Sequence, residues 1–128
     1  MGLRLRRTDW RLAIVRFSPE ATPPAWVFHA SVEFYSLTRT PNELSIVCSE
    51  DDLPPSVDFN VQRGWAAFEV EGPLPFGLTG VVSGITAPLA AAGVPVFVIS
   101  TYDTDYLLVE FANLETAERV LSQHFSID

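Results

Sequence analysis

Six consecutive residues, Ser100-Thr101-Tyr102-Asp103-Thr104-Asp105, hold the densest chemistry in the chain. Three hydroxyl residues, one phenol and two carboxylates lie between apolar runs Val94–Ile99 and Tyr106–Val109. Asp103 and Asp105 are an acid/base pair in principle, although two carboxylates flanking a threonine at a bend are more often turn residues. A second stretch, Phe76-Gly77-Leu78-Thr79-Gly80-Val81, is a glycine-containing loop that runs into a helical pattern. Backbone N–H groups at such a junction suit a carboxylate or phosphate, as they do at any helix start. A ligand with an anionic end for that loop and a cationic end for Asp105 fits both stretches, and an amino acid, a basic one best, has that form.

No catalytic constellation accompanies them. A P-loop is impossible without lysine, no G-x-G-x-x-G is present, and Gly80-Val81-Val82-Ser83-Gly84 has the wrong spacing for a nucleophile elbow. His29, His124 and the single Cys48 are too scattered for a zinc site, so neither a metal nor a cofactor is expected. Cys48, within Leu44-Ser45-Ile46-Val47-Cys48, reads as a buried apolar residue. His124 reads as a partner for the last carbonyls of a helix.

The elements that must position these stretches follow from the pattern. With 128 residues and 48% hydrophobic composition, the chain supports one ordinary domain or two very small modules. A net charge of −8 argues against nucleic-acid binding through phosphates. All eight basic residues are arginine, and residues 1–39 hold six of them against three acids. A basic front of this kind marks either a partner-binding arm or a plain surface bias. No apolar run reaches the roughly 18 residues that span a bilayer, and no signal peptide is recognisable, so the expected location is cytoplasmic.

Residues 1–10 read as a flexible lead. Arg11–Phe17 reads as a strand, 18–24 as a loop with three prolines, and Ser31–Thr38 with Glu43–Ser49 as a hairpin. The acidic loop Glu50–Pro55 offers the best module boundary, dividing an N-terminal module at 11–60 from a C-terminal module at 61–128. Trp65–Glu71 alternates as a half-buried strand. Thr79 is expected to cap a helix with the stripe Val81, Ile85, Leu89, kinked at Pro88 and ended by Gly93. Val94–Ile99 reads as a strand buried on both faces. Asn113 is expected to cap a last helix bearing Leu114, Ala117, Val120 or Leu121, and Phe125, with Glu115 and Arg119 paired on its outer face. The second half is thus β-α-β-β-α, the ferredoxin-like split pattern lacking its last strand. That strand must come from the N-terminal half or from another chain. The fold class is α+β, two small modules that complete one another's sheets, the first reduced in helices.

On these residues the chain resembles ACT domains, the regulatory amino-acid-binding modules attached to aspartokinases. It resembles most the ACT modules of the cytosolic arginine sensors called CASTOR and small bacterial proteins built from two ACT-like modules. Ala87-Pro88-Leu89, Gly93-Val94-Pro95-Val96, Ser100–Tyr106 and Leu108-Val109 carry the resemblance, which is good over residues 65–125 and loose over 12–48. It implies βαββαβ modules, a non-enzymatic regulatory role, side-by-side sheet pairing and a ligand at a junction between modules. It also implies ligand contacts at Gly80 and Val81, at Val94, Pro95 and Val96 of a neighbouring module, and at Thr101, Tyr102 and Asp105, with Asp105 receiving a cationic group. Pro95 stands where a hydroxyl residue is expected. A chain of this length would form a homodimer to build such a junction. The alternative is an ACT protein without a ligand that binds a partner enzyme.

Overall fold

A computed structural model describes residues 3–29 and 33–128. The chain forms two compact units. One holds residues 10–65; the other joins residues 1–9 to residues 66–128. The division falls not at the acidic loop but within one long strand. Glu50–Asp52 is a 3-10 turn inside the first unit, where the Glu50 carboxylate receives the Arg11 guanidinium (3.0 Å) and the Gly64 N–H (2.7 Å).

The N-terminal unit is a small antiparallel sheet. β2 (Leu12–Phe17) pairs with β4 (Leu44–Ser49), and β4 pairs with β3 (Ser36–Arg39) as the hairpin expected from the alternation. The expected start of that hairpin, Ser31 and Val32, lies outside the described residues. On its other side β2 pairs with the first half of β5 (Val61–Val70). There the register slips by one residue, and Gly64, in the left-handed region at φ 78°, occupies the bulge where a Cβ would be strained. Val15, Val27, Leu44, Ile46, Cys48 and Val57 form its core. Val27 comes from a 3-10 turn at Ala25–His29, and among the described residues the unit has no α-helix. The Arg39 guanidinium ties down the proline-rich loop through the carbonyls of Pro19 and Ala21.

The C-terminal unit contains the complete βαββαβ order. It runs through the second half of β5, α1 (Val81–Ala91), β6 (Phe97–Ser100), β7 (Asp105–Glu110), α2 (Leu114–Leu121) and β8 (Ser126–Ile127). Val81, Ile85 and Leu89 of α1, and Leu114, Ala117 and Leu121 of α2, close onto Phe68, Val70, Leu107 and Val109 of the sheet. Helical spacing of 3.6 residues explains why each stripe is continuous. α1 runs through Pro88 and ends in a Schellman turn: Val94 N–H donates to Leu89 O (2.9 Å) and Gly93 N–H to Ala90 O (3.0 Å), with Gly93 at φ 74°. α2 follows a 3-10 turn at Phe111–Asn113, and Asn113 precedes it without a side-chain cap bond. The ion pair from this helix is Glu118 with Arg7 (2.9 Å) rather than Glu115 with Arg119. At its end the His124 backbone N–H, not the ring, donates to Leu121 O (3.0 Å).

Two sequence expectations are overturned here, and both concern edges. The arginine-rich lead is not a flexible arm. Arg4–Arg7 is strand β1, antiparallel to β5 (Leu5↔Val70) and parallel to β8 (Leu5↔Ile127). Together, β1 and β8 supply the strand missing from the β-α-β-β-α pattern. Leu5 is wholly buried in the core, while Arg4 pairs with Glu71 and Asp128, and Arg6 with Glu69. The three arginines of β1 are therefore neutralised within the unit by acids of the later chain. Conversely, Val94–Ile99 is not a doubly buried central strand. Only 97–100 is extended, among the described residues it pairs with β7 alone, and Phe97, Val98 and Ile99 are half-buried. Short apolar runs do not distinguish a central strand from an apolar edge.

Away from the helices, the Tyr106 hydroxyl donates to Glu69 Oε2 (2.7 Å), and Arg6 lies 3.3 Å from Glu69 Oε1. Burial, then the bond to Glu69, pushes the Tyr106 pKa up to about 12. Burial works against the Glu69 carboxylate, but the bonds from Tyr106 and Arg6 outweigh it and hold its pKa below the ordinary value. The pH consequences have opposite signs. Stabilisation from the neutral tyrosine is full below about pH 10, its unfolded value, and is lost as pH rises through about 12. Stabilisation from the Glu69 carboxylate is full above its unfolded value and is lost as pH falls through its folded one. An ultraviolet titration of tyrosinate should show a late phase near pH 12 that disappears in Tyr106→Phe. A titration unchanged by that substitution would contradict the hydrogen bond.

Candidate functional site

A cleft of about 400 Å³ opens in the C-terminal unit between the loop Leu74–Val82 and the bend Ser100–Asp105. Its size falls within the range of small-ligand sites, roughly 300–1,000 Å³. The two chemistry-bearing stretches thus face one another, as two walls.

The first wall is the entry to α1. The helix begins one residue later than Thr79 would dictate, because the capping position is Gly80 at φ 79°. A left-handed residue there is costly for any side chain with a Cβ, and a threonine hydroxyl one position earlier is out of register to cap. The first intrahelical bond, Gly84 N–H to Gly80 O (2.9 Å), leaves the N–H groups of Val81, Val82 and Ser83 without helical partners. The Ser83 hydroxyl donates to Gly80 O (3.2 Å), and Gly80, Val81, Val82 and Ser83 all line the cleft. This end presents backbone donors and the positive pole of a helix.

The second wall is the bend between β6 and β7. Ser100 and Asp105 form the last cross-strand pair, and the Ser100 hydroxyl donates to Asp105 Oδ1 (2.5 Å). Thr101 folds the bend on itself: its N–H and hydroxyl both donate to Thr104 O (2.8 and 3.1 Å). Tyr102 is 80% exposed, and its ring stands 4.8 Å from that of Phe76, itself 78% exposed, so two aromatic rings project together at the mouth. Among the described residues, the only carboxylates lining the cleft are Asp103 and Asp105, and no lysine, arginine or histidine lines it. One wall thus carries carboxylates and the other the N-terminus of a helix, two opposite polarities in one cleft.

Of the residues singled out in the sequence, Gly80, Val81, Thr101, Tyr102 and Asp105 line this cleft together. Val94, Pro95 and Val96 do not. Val94 is buried in the core by the Schellman turn, Val96 packs against that core, and Pro95 is exposed on the approach to β6. Leu74 and Pro75, to which the sequence reading gave no role, belong to the wall. Elsewhere, burial first and then the Asp52 charge push the Cys48 thiol up to about 11, so it is protonated and inert at neutral pH. Among the described residues no cluster of three or more His, Cys, Asp or Glu could hold a metal, and no helix is long and apolar enough to cross a membrane.

Comparison with known proteins agrees with this architecture. Residues 60–123 match the ACT domain, and residues 11–56 match a separate N-terminal domain family. The chain is 34% identical over 106 residues to the human protein CASTOR3P, covering 74% of this chain and 65% of that protein. It is 29% identical over 134 residues to the human cytosolic arginine sensor for mTORC1 subunit 1, covering 88% of this chain and 41% of the sensor. The chain therefore spans about two fifths to two thirds of the length of these relatives. The crystal structure of Atu0741 from Agrobacterium tumefaciens superimposes with a TM-score of 0.89 at 36% identity, covering all of this chain and 93% of that one. The regulatory subunit of aspartate kinase from Thermus flavus shares the fold, with a TM-score of 0.62 at 14% identity and 96% of each chain covered. The chain belongs to the ACT-domain family.

Proposed function

We propose that this is a cytoplasmic, non-enzymatic regulatory protein that binds an amino acid, a basic one best, in the cleft between α1 and the Ser100–Asp105 bend. The observation that carries the reading is the pairing of opposite polarities across one small cleft. Helix N–H groups at Val81 to Ser83 offer a place for an α-carboxylate. Asp105, whose Oδ1 already accepts from Ser100, offers its remaining acceptor capacity to an ammonium or guanidinium group, and Thr101 and Tyr102 flank it. The relatives named as arginine sensors support a cationic ligand. Val94, Pro95 and Val96 lie outside the cleft of their own chain, and in this reading they close the cleft of a second copy in a homodimer, giving two equivalent sites.

A thermal unfolding screen of the purified protein against each amino acid at millimolar concentration tests this. A ligand present at a hundred times its Kd adds about 2.7 kcal/mol of stability, which is several degrees for a domain of this size. The expected result is a shift with arginine or lysine and none with their uncharged analogues. A shift with an uncharged amino acid alone would remove the cation-binding role from Asp105. No shift with any amino acid would favour the second reading, a ligand-free ACT protein that docks a partner enzyme. The half-buried apolar edge strand β6, paired on one side only, is the feature that favours it.

A further inference from the structure

Thr104 lies at the floor of the cleft and is one of the few buried polar residues among those described, at 9% exposed. Its polar groups are all engaged. The hydroxyl donates to the carbonyl of Val70, the last residue of β5, at 2.5 Å. Its N–H donates to Thr101 Oγ1 (3.2 Å), and its carbonyl accepts both Thr101 donors. One residue earlier, the Asp103 carbonyl accepts from Leu74 N–H at 2.7 Å.

Gly72 sits in the middle of this junction. A Cβ placed there would stand 3.2 Å from Asp103 O, Leu74 N and Thr104 Cβ alike. Its backbone is not left-handed, so the requirement for glycine at this position is one of space. The end of β5, the loop leading to α1 and the Ser100–Asp105 bend are thus fastened at one point. From that point the two walls diverge, one toward the helix N–H groups and the other toward Asp105. A ligand that touches both walls depends on their separation, whereas a ligand that touches only one does not.

We infer that Thr104, with Gly72 against it, is a positioning residue that sets the separation of the two walls, and so selects ligands carrying both charges over ligands carrying the cation alone. This rests on the amino-acid reading given above, and the test separates the two. Arginine and agmatine, which has the guanidinium but no α-carboxylate, are titrated calorimetrically into the wild-type chain and into Thr104→Val, Thr104→Ser and Gly72→Ala. In wild type, arginine binds more tightly than agmatine. In Thr104→Val, which exchanges the hydroxyl for a methyl group of similar volume, arginine affinity falls about tenfold, the scale on which supporting residues modulate a site. Agmatine affinity stays within about twofold, so the preference for arginine collapses. Thr104→Ser, which retains the donor, restores the preference. Gly72→Ala, which crowds the same junction from the other side, lowers the preference as Thr104→Val does, and carries the test if Thr104→Val fails to fold. An unchanged preference in folded Thr104→Val or Gly72→Ala overturns the inference, as does an equal loss of both ligands. Wild-type protein that binds both ligands equally overturns it too while leaving the cation site standing. Wild-type protein that binds neither overturns this inference and the amino-acid reading together.

Discussion

Leu5→Ala is expected to lower the free energy of unfolding by about 2–5 kcal/mol, the cost of deleting most of a fully buried leucine. Set against a typical total of roughly 5–15 kcal/mol for a domain, this is one of the largest effects available from a single substitution. Leu5 is 0% exposed and sits in the core with Phe68, Val70 and Leu121. It is also the residue through which β1 meets β5 on one side and β8 on the other. The backbone continues the connection: Glu71 N–H donates to Arg4 O (2.8 Å), Asp128 N–H to Leu5 O (2.9 Å) and Arg7 N–H to Asp128 O (3.1 Å). Equilibrium urea unfolding checks the prediction. A flexible lead would give a change within about 0.5 kcal/mol, as surface substitutions do, and that result would remove β1 from the fold. Arg4→Ala should have a much smaller effect, because its pairs with Glu71 and Asp128 are half exposed and screened by water.

Asp105→Ala is expected to weaken binding of a cationic amino acid by roughly ten- to a hundred-fold, the value of a hydrogen bond to a charged group. The fold should persist, because the side chain is only half-buried and its bond within the protein is the one it accepts from Ser100. Asp105→Asn separates charge from shape: it keeps an acceptor for Ser100 and loses the negative charge, so it should bind nearly as weakly as the alanine variant. Calorimetric titration, with circular dichroism to confirm folding, reads both effects. Unchanged affinity in both variants would move the cationic end of the ligand away from Asp105.

What was legible in the sequence was whatever a repeating side-chain pattern encodes. The Ala66, Phe68, Val70 alternation of β5 and the Val81, Ile85, Leu89 stripe of α1 both lie in the core of the C-terminal unit. The β3–β4 hairpin was legible in the alternation of its two strands. β1 was illegible because four residues with three arginines and one leucine carry no visible period, and the acids that neutralise those arginines lie more than sixty residues away. β8 is two residues long and offers no pattern at all. β6 is illegible for a different reason: its apolar run has the composition of a central strand, and only the pairing of the sheet reveals that, among the described residues, β7 is its one neighbour.

The cleft was legible to a similar degree and for a similar reason. Glycine at a helix entry and a run of hydroxyls and carboxylates at a bend are local signals, and the structure sets the two against each other. The junction beneath them depends on Gly72 and Thr104 meeting across more than thirty residues, a separation that local signals do not record. Nothing in the sequence marks Gly72 as spacing for a neighbour's Cβ.

The position of β1 bears on how the chain acquires its shape during synthesis. Residues 10–65 are continuous and form a unit of their own, so every strand of that unit is present once residue 65 has been made. In the other unit Leu5 meets β5 only once Val70 has been made, and β8 only once Ser126 and Ile127 have. Until then β1 waits for its neighbours. Entropy makes that wait tolerable, because each doubling of a loop adds only about 0.6 kcal/mol to the cost of closing it. The three arginines around Leu5 also suit the interval, since charges flanking an unpaired strand discourage it from pairing with the wrong neighbour.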